Sequence, residues 1–454
     1  MIDLKNKKVG VVGLSKRTGV SVAKFLLERN IDVLVTDVKS KKDIQNEINL
    51  LKDYEFEYEL DGHGEKTLDC DVLVVSPGVP LNLDIFNKAR KKGIKIISEI
   101  ELAYEFTEAK IIAITGTNGK TTTTSLLGEI MSSHFHDKVV VAGNIGTPLI
   151  SVAPKLSHDN WIIAEISSFQ LEAIENFRPD ISIFLNFSPD HLDRHKSLED
   201  YLAAKKKIFI NQKNKDLAIV NLDDETVLKA VSDFSVKKHY VSGEKEVENG
   251  AYISKESINL VNKNLENKQI AIKDIPLPGN HNLMNVAFAS YAAYMAGVDI
   301  KTIKKSIKKY KADQHRLEII MSKEDSSMIV DDSKATNVDA AIKAIDTFNK
   351  PIILIAGGQD RNADFSKFAD KIKNNVKSLI LLGETSKKIN NEVLKRGFEN
   401  IYQVRNMNEA VDKAFNNFEK GDCILLSPAC PSWDMYEDYK ERGNIFQQEI
   451  KKRV

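Results

Sequence analysis

The run Ile111-Ile112-Ala113-Ile114-Thr115-Gly116-Thr117-Asn118-Gly119-Lys120-Thr121-Thr122 constrains this chain more than any other stretch. A short apolar strand enters a glycine-containing loop, and a lysine with two hydroxyls opens a helix from Lys120 to about Met131. Gly116 and Gly119 let backbone N–H groups of the loop, with Thr117 and Asn118 between them, turn toward phosphate oxygens. Lys120 reaches the terminal phosphates, and the Thr121 hydroxyl can ligate Mg²⁺. The helix points its positive end at the same anion. The full G-x-x-x-x-G-K-[ST] spacing needs glycine at 114, where the chain has Ile114, so the loop is a shortened variant of a nucleoside-triphosphate site. The plainer alternative is a Gly-Lys turn on a surface.

Such a loop belongs to a parallel α/β sheet, and the rest of the chain has that pattern. Apolar runs alternate with amphipathic stretches over most of the 454 residues, a length for about three domains at roughly 150 residues each. The first unit has strands at Val9–Val12, Ile31–Thr36 and Val72–Ser76, and a helix from about Gly19 to Arg29. The second opens at Ile111 and continues with Val139–Ala142, Trp161–Ile166, Ile181–Asn186 and Leu217–Asn221. A polar stretch from about 236 to 275 alternates weakly and reads as a small β excursion. A third unit has strands Met328–Val330, Ile352–Ala356, Ser378–Leu382 and Cys423–Leu426. Boundaries are expected near 108 and 313, giving domains 1–108, 109–313 and 314–454.

Lys+Arg and Asp+Glu balance at 65 each, so no net field draws nucleic acid or an anionic membrane. Three cysteines, Cys70, Cys423 and Cys430, are odd in number and lack C-x-x-C spacing. That argues against a disulfide scaffold or zinc site and suits a reducing cytosol. The first residues carry charges and then a brief strand, without signal-peptide character, and no apolar run reaches about 18 residues. The expectation is a cytoplasmic monomer with no nucleic-acid partner and no membrane insertion.

Further polar loops follow strands. Gly13-Leu14-Ser15-Lys16-Arg17-Thr18-Gly19 follows one and opens a helix, and Asp37 ends the next, a pattern for binding a nucleotide diphosphate or simply a tight turn. Ser76-Pro77-Gly78-Val79 ends a third strand at the same edge. Glu165 ends the strand beside the phosphate loop, well placed to hold Mg²⁺, and Ser167-Ser168-Phe169-Gln170 follows it. Past Asn186 comes Pro189-Asp190-His191-Leu192-Asp193-Arg194-His195, where His191 reads equally as ligand or structural residue. His195, four residues on, reads as a solvent-facing neighbour. Lys205, in Ala203-Ala204-Lys205-Lys206-Lys207, reads by itself as part of an exposed basic helix face. Asn282 and Asn285 share a face of the helix opened by Gly279-Asn280-His281, where they can contact a base or ribose; N-capping is the alternative. In the third unit His315-Arg316 precede the first strand. Asp331-Asp332-Ser333-Lys334-Ala335-Thr336-Asn337, Gly357-Gly358-Gln359-Asp360-Arg361 and Ser427-Pro428-Ala429-Cys430-Pro431-Ser432-Trp433-Asp434 follow three others. Three polar loops at strand ends form a binding surface.

Together these residues resemble the Mur ligase family, the ATP-dependent amide-forming enzymes of peptidoglycan precursor synthesis, over essentially the whole chain. The specific parts are Gly116–Thr122, Glu165-Ile166-Ser167-Ser168-Phe169-Gln170-Leu171-Glu172, Gly279-Asn280-His281-Asn282 and Asp332-Ser333-Lys334-Ala335-Thr336-Asn337. The last, with Ser427-Pro428-Ala429-Cys430, is similar to the D-glutamate-adding branch, and the Asp-Asn-Pro-Arg motif of the diamino-acid-adding relatives is missing from the sequence. The resemblance implies a Rossmann-like first domain, a central P-loop ATPase-type domain and a Rossmann-like third domain. It implies UDP-substrate binding by Ser15, Lys16, Arg17, Thr18, Asp37, Ser76, Gly78 and Asn144. ATP would be held by Gly116–Thr122, Asn282, Asn285, Arg316 and Asp332. Magnesium, one or two ions, would be held by Thr121, Glu165, His191 and a carbamylated Lys205, which reverses the exposed reading of that lysine. D-Glutamate would be cradled by Thr336, Arg361, Ser432 and Tyr439, with Lys334 nearby. Catalysis would fall to Lys120, Glu165, His191 and Lys205. The third domain is expected to close about a hinge near 313. In departure from the family, the 13–19 loop is one residue longer, Arg361 stands where some members have Lys, and Tyr439 where some have Phe. Rival readings are a folylpolyglutamate-synthase-like ligase, a nucleotide-driven switch or motor, and a non-catalytic UDP-sugar-binding protein.

Overall fold

The computed structural model describes residues 3–191, 194–311, 314–322 and 325–454. Leu192 and Asp193 of the histidine-containing run, and the expected boundary and hinge at Asp313, lie outside them. Three sheets with flanking helices follow one another along the chain, an α/β architecture as expected.

The first sheet contains β1 (Lys8–Val12), β2 (Asp32–Thr36), β3 (Glu57–Glu59), β4 (Val72–Val75) and β5 (Lys95–Ser98) in the order β3-β2-β1-β4-β5, all parallel. The second contains β6 (Lys110–Thr115), β7 (Val139–Gly143), β8 (Trp161–Glu165), β9 (Ile181–Phe184), β10 (Leu217–Asn221), β11 (Lys237–Ser242), β12 (Gly250–Ile253), β13 (Ser257–Val261) and β14 (Lys268–Ala271). Their order is β14-β13-β12-β11-β10-β9-β6-β8-β7, parallel except for the β12–β13–β14 meander, which is the expected β excursion. The third contains β15 (Glu318–Ser322), β16 (Met328–Asp331), β17 (Ile352–Ala356), β18 (Val376–Leu381), β19 (Ile401–Gln403) and β20 (Cys423–Leu426) in the order β15-β16-β20-β17-β18-β19, with only β15 antiparallel. Central strands such as β4, β8 and β17 are buried along their whole length, which is why they read as unbroken apolar runs.

The chain divides into two compact units. One holds the first two sheets, and the other holds the third sheet with residues 188–191 and Ile272–Met284. Within the first unit, the helix Glu99–Glu105 joins the two sheets through carboxylates. Glu101, fully buried, accepts the N–H groups of Glu175, Asn176 and Phe177 at 3.0, 2.8 and 2.9 Å. Glu99 accepts the Ile150 N–H at 2.7 Å. Burial pushes the Glu99 carboxyl up to about 7 from an ordinary 4.5, although the Ile150 N–H and the Arg17 charge favour its ionised form.

That shift has a stability consequence with a definite sign. The folded state keeps the Glu99 proton at pH values where the unfolded chain has released it. Stability from this group is therefore lost as pH rises from about 4.5 to about 7. Thermal unfolding of Glu99→Gln beside the parent, across pH 5 to 8, is expected to show the variant gaining a few degrees on the parent as pH rises. Parallel curves would contradict the shift.

Candidate active site

β6 lies in the middle of the second sheet with β8 on one side and β9 on the other, so the loop at its C-terminal end opens at a crevice between diverging crossovers. The helix that follows runs Lys120–Phe135. Asn186, just past β9, braces the loop: its backbone carbonyl accepts the Thr117 N–H at 3.0 Å, and its side-chain oxygen accepts the Asn118 N–H at 2.8 Å. Its amide in turn donates to the Asn118 carbonyl at 3.0 Å. Gly119 is left-handed (φ 84°), and a Cβ there would sit 2.3 Å from the side-chain oxygen of Asn285. Only glycine lets helix Asn280–Met295 come this close.

Two lysines converge on this loop. Lys120 Nζ donates to the carbonyls of Gly116 and Thr117 at 2.9 and 2.8 Å. Lys205 Nζ donates to the same Gly116 carbonyl at 2.8 Å and lies over the Tyr201 ring. Lys205 is 1% exposed, so the reading of an exposed basic face is overturned. Helix Leu198–Lys206 turns Tyr201, Ala204 and Lys205 inward, a three- and four-residue spacing that puts them on one face.

Glu165 ends β8 in register with Ile114, two residues before Gly116, and is 1% exposed. One carboxylate oxygen accepts the Asn144 side-chain N–H at 2.7 Å; the other is buried with no hydrogen-bond partner. A buried, unsatisfied carboxylate oxygen is costly unless a cation meets it, so the donor set fits a hard divalent ion. Ser167 and Gln170 then form a capping box that starts the next helix. His195 is buried rather than solvent-facing. Its ring contacts Ser168 Oγ at 3.0 Å and stacks on Phe169, with Tyr201 adjacent.

At the first sheet, Asp37 accepts the N–H groups of Leu14 and Lys39 at 2.7 and 3.0 Å, fastening the root of the 13–19 loop. Ser76 Oγ donates to the Gly13 carbonyl at 2.6 Å, and Ser15 Oγ accepts the Gly19 N–H at 3.1 Å. Arg194 donates to the carbonyls of Gly78 and Val79 and to Glu172, tying the 76–79 turn to the helix after β8. Lys16 and Arg17 are exposed and Thr18 is half-buried.

In the second unit β20 lies between β16 and β17, so the three polar loops do leave neighbouring strands at one sheet edge. Asp332 accepts Ser427 Oγ at 2.8 Å and the Leu317 N–H at 3.2 Å. Burial pushes its carboxyl up to about 7, while Ser427 and the Arg316 charge pull the other way. Arg316 Nε is buried with no hydrogen-bond partner. Arg361 lies over Trp433, Lys334 over Tyr439, Ser432 is buried, and Thr336 is half-buried. Asn282 is the third residue of the helix Asn280–Met295, and its amide donates back to the Pro278 carbonyl at 2.7 Å. His191 (φ 55°) has its ring 3.7 Å from Asp190, whose carboxylate also takes an N–H from Asn337 at 3.1 Å.

Two features escaped the sequence. Arg442, 1% exposed, donates to Ser333 and to the Cys430 carbonyl and so pins two of the three loops. His315 pairs with Asp331 at 2.7 Å, and Gln447 bonds to both and to Glu318. The Asp331 bond raises the His315 pKa. Among the described residues this is the one group of three such side chains spaced to hold a metal, but its polar atoms are already spent on one another.

Three family models match in succession: Mur ligase MurD-like N-terminal domain over residues 7–98, Mur ligase middle domain over 114–293, and Mur ligase, glutamate ligase domain over 315–430. Among solved structures, a pseudomurein peptide ligase type C from Methanothermus fervidus superposes with a TM-score of 0.61 at 18% identity, over 99% of this chain and 100% of that one. UDP-N-acetylmuramate-alanine ligase MurC from Thermotoga maritima does so with a TM-score of 0.58 at 18% identity and the same coverage. Fold and matched domains define an ATP-dependent ligase of the Mur type, and the chain belongs to the Mur ligase family. Within it, the chain stands with the UDP-N-acetylmuramoylalanine–D-glutamate ligases: that of Clostridioides difficile is 43% identical over 99% of both chains, and that of Caldanaerobacter subterraneus 42% identical over 99% of both. No helix among the described residues is long and apolar enough to cross a membrane.

Proposed function

We propose that this chain joins D-glutamate to UDP-N-acetylmuramoyl-L-alanine at the expense of ATP, releasing ADP and phosphate, in cytoplasmic peptidoglycan precursor synthesis. The observation that carries this reading is the gathering of Lys120, Lys205 and Glu165 around the strand ends at the phosphate loop. The alanyl carboxylate takes the γ-phosphoryl group of ATP, giving an acyl phosphate and ADP. The D-glutamate amine attacks the acyl carbon, the tetrahedral species expels phosphate, and the amine loses its proton to form the amide.

Gly116–Thr122 wraps the ATP phosphates, and Lys120 neutralises charge on the transferring group. Asn282, Asn285, Arg316 and Asp332 complete the nucleotide contacts. Bound Mg²⁺, one or two ions held by Thr121, Glu165, His191 and carbamylated Lys205, supplies charge neutralisation and orients the phosphates. Ser15, Lys16, Arg17, Thr18, Asp37, Ser76, Gly78 and Asn144 serve the UDP substrate; Lys334, Thr336, Arg361, Ser432 and Tyr439 serve D-glutamate. Arg361, seated over the Trp433 ring, has a fork suited to a carboxylate. The domains are taken as 1–108, 109–313 and 314–454, acting as a monomer.

The test is phosphate release from ATP with UDP-N-acetylmuramoyl-L-alanine and one amino acid at a time. Release is expected only with D-glutamate, with a product heavier by one glutamyl residue. Release with a different amino acid would move the specificity, and release with neither substrate would remove the ligase reading.

A further inference from the structure

The tip of the 13–19 loop does something its root does not. Asp37, Ser76 and Ser15 fasten the root to the first sheet, but Arg17 leaves that sheet altogether. Its guanidinium donates to the Gly143 carbonyl at 2.6 Å and to the Asn144 carbonyl at 3.1 Å, more than 120 residues away in sequence. Gly143 ends β7 in the second sheet, and Asn144 opens the turn after it.

That turn is the one that holds Glu165. The Asn144 backbone N–H donates to the Glu165 carbonyl at 2.7 Å, and its side-chain N–H donates to the Glu165 carboxylate at 2.7 Å. Gly143 is left-handed (φ 100°), and a Cβ on it would lie 2.4 Å from the Glu165 carbonyl, so turn and strand end are in close register. Pulling on the peptide at 143–144 therefore moves the amide that orients Glu165. A planar guanidinium with parallel donors suits two successive carbonyls; an ammonium reaches one at a time.

We infer that Arg17 is a positioning residue that links the loop binding the nucleotide end of the substrate to the orientation of Asn144 and Glu165. The inference rests on the ligase reading for its functional consequence, though the latch itself is a property of the fold. With the loop seated, Arg17 holds the 143–144 turn, and Asn144 holds one oxygen of Glu165 so that the other faces the cation. Arg17 touches none of the reacting atoms.

The experiment compares the full chain with Arg17→Ala and Arg17→Lys, because the side chain is exposed and its removal leaves the core intact. Two measurements are made: hydrogen exchange of the Gly143 and Asn144 amides, without ligand and with UDP-N-acetylmuramoyl-L-alanine, and turnover at varied Mg²⁺. Arg17→Ala is expected to exchange faster at 143–144 without ligand and to lose the added protection that substrate gives the parent. It should also lose about tenfold in kcat while needing more Mg²⁺ for half-maximal rate. Arg17→Lys should fall between. In an Asn144→Ala background, removing Arg17 should cost little more, because the two act in series. Parent-like exchange at 143–144 in Arg17→Ala overturns the latch. So does a rise in KM for the UDP substrate alone with exchange protection intact, which would make Arg17 an ordinary substrate contact. If the parent shows no D-glutamate-dependent turnover, the ligase reading fails, while unliganded exchange still decides the latch.

Discussion

Lys120→Ala is expected to lose turnover by a factor on the order of 10³ or more while keeping its fold. The ammonium reaches the Gly116 and Thr117 carbonyls of its own loop, at the mouth of the β6–helix junction. In the proposed reaction the γ-phosphoryl group would gather charge there during transfer, and in a water-poor site one fixed cation is worth far more than in bulk solvent. The side chain is only half-buried, and Asn186 still braces the loop through the Thr117 and Asn118 N–H groups and the Asn118 carbonyl. The loop should therefore survive the truncation. Phosphate release measures the loss, and an unchanged circular-dichroism melt separates chemistry from folding. Ligation within tenfold of the parent would remove Lys120 from the phosphate site.

A second large loss is expected at Lys205. Its ammonium shares the Gly116 carbonyl with that of Lys120, which sets two like charges against one acceptor in a buried place. Addition of CO₂ to the neutral amine, with release of a proton, would convert Lys205 into a carbamate and replace that repulsion by attraction. The result would be a carboxylate-like group on the loop side of the site, able to offer oxygen donors to a divalent cation. Lys205→Ala should be inactive, and millimolar formate or acetate should restore part of the activity by standing in for the missing carboxylate. A ¹³C resonance from labelled bicarbonate should appear in the parent and not in the variant. A fully active Lys205→Ala enzyme would end the carbamate proposal.

The parts of this molecule legible in sequence are those whose determinants are local. The β6–loop–helix unit announces itself because strand, glycines and lysine are contiguous, and β10, β17 and β20 begin and end where their apolar runs do. β3 and β19 were missed because Glu57–Glu59 and Ile401–Gln403 are three-residue strands at sheet edges with no fully buried residue, too short to show a period. Side chains fixed by distant partners were also misread. His195 looks like a surface residue until Phe169 and Tyr201 close around it. Arg442 sits in a helix whose neighbours are mostly polar, and nothing nearby signals that it will be buried against Ser333. The reach of Arg17 to the Gly143 and Asn144 carbonyls of another sheet likewise has no sequence signature.

The carboxylate of Glu101 bears on where this protein can be divided. Anyone preparing the nucleotide-binding part by itself would be tempted to begin at residue 109, just ahead of β6. That cut takes away the carboxylate that accepts the N–H groups of Glu175, Asn176 and Phe177, and it strips Tyr104 from the Phe177 ring, which is otherwise buried. A fragment that begins at Ser98 keeps the helix that supplies the acceptor, together with the Ser98 N–H bond to Ala173. For protein dissection, the helix Glu99–Glu105 travels with the downstream piece, although in sequence it follows directly on the last strand of the upstream one.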